Sequence, residues 1–146
     1  YTPVANYIGT TEFPPENLCL EITERCRLLD INLLKDTFRI LRNKGIKIAL
    51  DDFGTGYCSI EVLREISVNT VKIDRGFIMN IEKSRSDQST VRFISELADS
   101  FQAEVCAEGI ETQEMQQILL DYKIKSLQGY YYSKPIPVEG FIQKYC

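Results

Sequence analysis

The sequence predicts an α/β fold, with about five parallel strands separated by helices, and three observations carry that expectation. Short apolar runs alternate with longer segments whose apolar residues recur at helical spacing. The runs are apolar throughout rather than at every second residue, the pattern of a parallel sheet buried on both faces. Residues able to do chemistry recur at the C-terminal ends of these runs, where parallel α/β folds place their ligands.

Each element has its own signal. Leu18-Cys19-Leu20-Glu21-Ile22 reads as a strand, followed by a helix from about Asp30 to Lys44 with Leu34, Phe38 and Leu41 on one face and Gly45 as its stop. Ile46 to Asp51 is a second strand, and Phe53-Gly54-Thr55-Gly56 turns the chain after it. A short helix then carries Ile60, Leu63 and Ile66, and Thr70 to Asp74 makes the third strand. The polar stretch Glu82 to Ser89 reads as a mobile loop ahead of a helix with Val91, Ile94, Leu97, Ala98 and Phe101 inward. Ala103 to Ala107 is the fourth strand, and Thr112 caps a helix through Met115, Ile118 and Leu119. Ser126 to Tyr131 is the fifth, before a Pro135-Ile136-Pro137 exit. No linker or low-complexity tract divides the chain, which therefore reads as one domain or part of one.

Bulk properties narrow the function. A chain of 146 residues, 44% hydrophobic, can bury a sizeable core. A net charge of -4 and no Lys/Arg cluster argue against a nucleic-acid polymer as partner, while leaving a small nucleotide held through metals open. No run approaches the roughly 20 apolar residues of a membrane span, and no signal-peptide pattern precedes the first strand, so a cytoplasmic compartment is the default, whether or not a longer parent is tethered to a membrane. The 5 cysteines form no CxxC pair, and two lie in strands, so reduced thiols are expected. With no histidine, Ser-His and Cys-His nucleophiles and imidazole-ligated metals are ruled out for this segment. The first residue is Tyr1 rather than Met, as expected of a piece of a longer protein.

The residues left to do chemistry are Glu21, the pair Asp51 and Asp52, Lys72, Glu108 and Gln128, each at a strand end. Two adjacent carboxylates at the end of a buried strand repel each other unless counter-charge relieves them. Four carboxylates and a lysine converging there suit oxygen-loving Mg²⁺ or Mn²⁺ better than zinc. Plainer roles stay open. Glu21 could be an ordinary strand-end cap, Lys72 a structural bridge to Asp51 or Asp74, Gln128 a partner for buried backbone, and the Asp51-Asp52 pair a turn that caps the next helix.

Leu20-Glu21-Ile22-Thr23-Glu24, Asp51-Asp52-Phe53-Gly54-Thr55-Gly56-Tyr57, Val71-Lys72-Ile73-Asp74-Arg75, Ala107-Glu108-Gly109-Ile110-Glu111-Thr112 and Gln128-Gly129-Tyr130 through Lys134-Pro135 resemble, in order and approximate spacing, the EAL-domain family of bacterial cyclic-di-GMP phosphodiesterases. The resemblance implies a (β/α)₈ TIM-type barrel in which two divalent cations, Mg²⁺ or Mn²⁺, flank the scissile phosphodiester of cyclic di-GMP and activate a water, releasing linear pGpG. It implies that Glu21 is a ligand of the first metal, Asp51 the carboxylate shared by both, and Asp52 a ligand of the second. Lys72 would hold the attacking water or the developing negative charge, because an ammonium among carboxylates donates rather than abstracts. Glu108 and Gln128 would bind the second metal or its waters. Glu111 would brace the loop after Asp52, although at a helix start it also favours the dipole there. The loop Phe53 to Ser59 resembles the family's dimer-contacting and gating segment. Tyr130, Tyr131 and Tyr132 would pack against the barrel rim, one of them with a base-stacking alternative.

Two family features are absent: the Glu-Ala-Leu motif itself and an asparagine on an early strand, both first-metal ligands. Cys58-Ser59 replaces the usual Ser-Ser. Tyr1 to Asn17 reads as a helix end and a Pro14-Pro15 strand entry. The expectation is therefore an incomplete barrel, residues 1–146, lacking its first strands out of the roughly 250 residues a whole barrel takes. The intact protein would hydrolyse cyclic di-GMP, and this segment alone would be inactive. The alternative is a non-catalytic receptor or regulatory module for the same nucleotide. GGDEF or sensory domains are the expected companions in the parent chain. Open edges at both outer strands, and an open face lined by residues such as Ile48 and Leu50, would drive self-association.

Overall fold

The computed structural model describes residues 14–23, 31–55 and 59–146. A 3₁₀ turn, Pro15–Asn17, leads into β1 (Cys19–Thr23), followed by α1 (Ile31–Asn43), β2 (Lys47–Phe53), α2 (Ser59–Glu65), β3 (Thr70–Ile73) and the short α3 (Arg75–Ile78). Then come α4 (Arg85–Ser100), β4 (Glu104–Glu108), α5 (Gln113–Asp121), β5 (Ser126–Gln128) and α6 (Val138–Tyr145). All five strands are parallel and lie side by side in sequence order. That is the order of serial βα units in a (β/α)₈ barrel. Here β1 and β5 are the outer strands of the sheet.

Strand alternation sorts side chains into two layers. Ile22, Ile48, Leu50, Val71, Ile73 and Ala107 form one core with Leu63 of α2, Ile78 of α3, Val91, Ile94 and Ala98 of α4, and Met115 and Leu119 of α5. The alternate positions, Glu21, Ala49, Asp51, Lys72, Cys106, Glu108 and Gln128, belong to the other face. One expectation is corrected by this. The described helices pack on one face of the sheet, and the opposite face carries the polar residues. Ile48 and Leu50, expected to line it, are 0% exposed and lie under the helices. The reason is register, which fixes the layer of every side chain in a strand at once and cannot be read from the apolar run alone.

Asn69 splices three strands at their beginnings. Its Oδ1 accepts from Ile48 N–H at 2.9 Å, its N–H donates to Ile48 O at 2.7 Å, and its carbonyl accepts from Glu104 N–H at 2.9 Å. Leu41 and Ile46 form a small second cluster with Phe38. The Leu34 side chain lies outside the described residues.

Several boundaries move. Glu82 to Ser89 is not a loop: Ser84 caps α4 by accepting from Asp87 N–H at 3.2 Å, and the helix begins at Arg85. Ser84, Ser86, Asp87 and Ser89 have low helix propensity, but the cap and the buried Val91, Ile94 and Ala98 override it. Ile60 is 55% exposed, while Leu63 and Ile66 are buried as expected. β5 ends at Gln128, and Tyr130, Tyr131 and Tyr132 follow in an exposed turn rather than packed on a rim. Thr112 caps α5, accepting from Met115 N–H at 3.1 Å. Beyond Pro137, α6 leaves Val138, Phe141, Ile142 and Tyr145 exposed. Cys19, Cys106 and Cys146 are free; Cys26, Cys58 and most of the Gly56 to Ser59 stretch lie outside the described residues.

Candidate active site

The bulge in β2 shapes the site. β2 pairs with β3 at Leu50↔Val71 and again at Phe53↔Ile73, so Asp51 and Asp52 together stand opposite Lys72. One extra residue has been inserted, and Asp52 takes it up with φ 55, a left-handed conformation that Asp tolerates better than most residues. Without the bulge Phe53 would fall on the polar face. With it, Phe53 returns to the core at 3% exposure.

Lys72 is the centre of the cluster. Its Nζ lies 2.8 Å from Glu108 Oε1, 2.9 Å from Glu21 Oε1 and 3.1 Å from Asp51 Oδ1, so three strands send one carboxylate each to one ammonium. The side chains are 12% (Lys72), 19% (Asp51), 22% (Glu108) and 49% (Glu21) exposed, which makes this a half-buried cluster rather than a surface pair. Burial works against the lysine's charge, but its contacts with Glu108, Glu21 and Asp51 outweigh that and hold its pKa well above the ordinary lysine value. It is a permanent cation and a donor, not a base.

Of the bridges considered for Lys72, the one to Asp51 forms. Asp74 instead caps α3, its Oδ1 accepting from Gly76 N–H at 2.8 Å. Among the described residues, neither Asp52 nor Gln128 is an ion-pair or hydrogen-bond partner of Lys72. Gln128 is the register partner of Glu108 at the end of β5. Glu111 lies in the loop before α5 and is exposed, next to the Thr112 cap.

Ala49 and Cys106 lie buried on the same face, Cys106 as the register partner of Lys72. Burial pushes the Cys106 thiol up, and the carboxylates of Glu108 and Glu21 add to the effect, so it stays protonated and inert.

The donor set suits a hard divalent cation. It consists of oxygens, it carries more negative charge than Lys72 neutralises, and Asp51 Oδ1 is shut off from solvent with the Lys72 ammonium beside it at 3.1 Å. Among the described residues no three carboxylates are arranged to hold a metal by themselves, because the point on which they converge is taken by Lys72.

Sequence reasoning missed the packing around the loop that follows Glu108. Ile110 is fully buried; its N–H donates to Gln128 O at 3.1 Å and its carbonyl accepts from Tyr131 N–H at 3.0 Å. Thr112 Oγ1 donates to Glu82 Oε1 at 2.5 Å. The signal for the first was the glycine directly after Gln128; nothing local marks the second, whose partners are 30 residues apart.

The family model described as EAL domain matches residues 3–135. The chain belongs to the EAL domain family. The cyclic di-GMP phosphodiesterase NbdA of Pseudomonas aeruginosa is 35% identical over 129 residues, 86% of this chain and 16% of NbdA. The crystal structure of the EAL domain of Mycobacterium smegmatis DcpA superposes with a TM-score of 0.91 at 35% identity, covering 97% of this chain and 64% of that one. Klebsiella pneumoniae BlrP1, solved as a manganese and cyclic di-GMP complex, superposes with a TM-score of 0.81 at 26% identity over 92% of this chain and 34% of that one. The chain spans 22% of the length of the mycobacterial curated relatives it matches.

Proposed function

We propose that the intact domain carrying this chain hydrolyses cyclic di-GMP to linear pGpG with Mg²⁺ or Mn²⁺. The observation that carries this reading is the convergence of Glu21, Asp51 and Glu108 on Lys72 at the C-terminal ends of adjacent parallel strands. Family membership and the cyclic di-GMP complex of BlrP1 support the substrate; its manganese supports a divalent cofactor.

Glu21, Asp51, Asp52 and Glu108 are the residues that would hold the metal. When bound, it supplies a Lewis acid for the phosphodiester and makes water more acidic. The chain's own residues do the rest. Lys72 keeps its proton and donates to negative charge, orienting a phosphate oxygen or a water rather than removing a proton from it. The Glu108 carboxylate, held against Lys72 Nζ at 2.8 Å, can accept a hydrogen bond from a water with its remaining lone pairs. The Gln128 amide, paired in register with Glu108, can donate to one oxygen while accepting from another.

The test is chromatographic detection of pGpG after incubating the intact domain with cyclic di-GMP and Mg²⁺ or Mn²⁺, with and without chelator. Turnover that disappears with chelator is expected. Tight binding without pGpG would make the domain a receptor. The 146-residue chain alone is expected to show no turnover, because the Glu-Ala-Leu glutamate and the early-strand asparagine are not in it. Enzyme-like release of pGpG by the isolated chain would refute that expectation.

A further inference from the structure

The loop between β4 and α5 is clasped to its surroundings on three sides. Glu108 is the last residue of β4, and Gly109 turns the chain with φ 81, so close to α3 that a Cβ there would lie 2.8 Å from Arg75 Cβ. Ile110 hydrogen-bonds on both sides to the β5 end, through Gln128 O and Tyr131 N–H. Gly129 lies against the Ile110 backbone so closely that a Cβ would overlap its nitrogen, carbon and oxygen. Gly129 does not have positive φ, so backbone freedom is not why glycine stands there; only the space is. At the far end of the loop, Thr112 is tied to Glu82 in the turn before α4.

We propose that Gly129 and Glu82 are positioning residues for the site, clasping loop 109–112 so that Glu108 and Gln128 stand at a fixed height relative to Lys72. The need follows from β5, which has three residues, so that its ladder with β4 ends at Glu108 and Gln128 themselves. The two hydrogen bonds to Ile110 extend the pairing beyond Gln128, and they form only if the chains approach as closely as Gly129 allows. Glu82 anchors the other end through a hydroxyl that at the same time caps α5. The proposal rests on the phosphodiesterase reading for its kinetic consequence, but not for its geometry.

The experiment compares Gly129→Ala, Glu82→Ala and Glu82→Gln with wild type in the intact domain, reading kcat and KM for cyclic di-GMP, thermal midpoints, and crystal structures of the variants. Gly129→Ala is expected to lower kcat by about a hundredfold with KM little changed, the scale of a misplacement of about 1 Å. Glu82→Ala should lose about tenfold, and Glu82→Gln should recover it, because an amide oxygen still accepts from Thr112. The proposal is overturned if kcat of Gly129→Ala stays within about twofold of wild type, or if Glu82→Gln is as impaired as Glu82→Ala. Should Gly129→Ala fail to fold, the Glu82 pair decides. If wild type itself releases no pGpG, the phosphodiesterase reading fails, and the crystal structures decide the clasp. Glu108 displaced from Lys72 supports it, whereas an unchanged 2.8 Å contact refutes it.

Discussion

Lys72 holds three carboxylates together, so removing the lysine and removing one of its partners have different consequences. Asp51→Asn should abolish hydrolysis by the intact domain while leaving the fold intact, since an amide keeps the shape but brings no charge for Lys72 or a cation. Near-normal pGpG release across Mg²⁺ and Mn²⁺ titrations would remove Asp51 from the machinery. Glu111→Ala, at an exposed position beside a helix cap, should lower the rate without abolishing it. The pH dependence follows from the direction of the Lys72 shift. Its pKa in the folded chain is raised above the unfolded value, so its contribution is fully present below the ordinary lysine pKa and is lost as pH rises toward the folded one. Urea midpoints should therefore show the same Lys72→Met penalty from about pH 6 to about pH 9, shrinking only at stronger alkalinity. A penalty that vanished near neutrality would mean the lysine is not held as a cation. The carboxylates and the lysine could be picked out from the sequence because chemistry-bearing residues at strand ends stand out against apolar runs. Their pairing could not, since Glu21 and Lys72 are 51 residues apart and only the sheet brings them to 2.9 Å.

Among the elements, β2 is the one whose irregularity matters most. Its bulge lets two acids stand opposite one lysine and still returns Phe53 to the core, and Asp52 carries the left-handed residue this requires. Asp52→Asn should fold as wild type does, because Asn tolerates that region, whereas Asp52→Val should destabilise by about 1–2 kcal/mol, the difference being read in urea midpoints. Equal stability of the two would place the strain elsewhere. In sequence the same stretch reads as a strand ending at Asp51, since nothing in Asp51-Asp52-Phe53 distinguishes a bulged strand from a strand followed by a turn. The helix from Arg85 was obscured for the opposite reason. Its start mixes Ser and Asp with other polar residues and shows no apolar stripe before Val91, and it is held by the Ser84 cap and by Val91 and Ile94 packed under it.

At the scale of the whole molecule, the five-strand order was legible because apolar runs and helical segments alternate without interruption. The polarity of the open face was not, because it depends on register. Self-association of the isolated chain is still expected, now from the two strand edges and the exposed Val138, Phe141, Ile142 and Tyr145 of α6 rather than from Ile48 and Leu50. Light scattering on a sizing column checks it, and a monomer across micromolar concentrations would show that neither edge nor helix face recruits a second copy. The two-layer alternation carries a consequence for folding fidelity. A slip of β3 by one residue would drive Lys72 beneath the helices and turn Val71 and Ile73 toward the carboxylates of β2 and β4. Both errors are penalised together, the buried ammonium by lost solvation and the carboxylates by unrelieved repulsion. The ionic cluster thus favours the native strand alignment energetically, since a sheet assembled out of step cannot also present the cation where three acids meet.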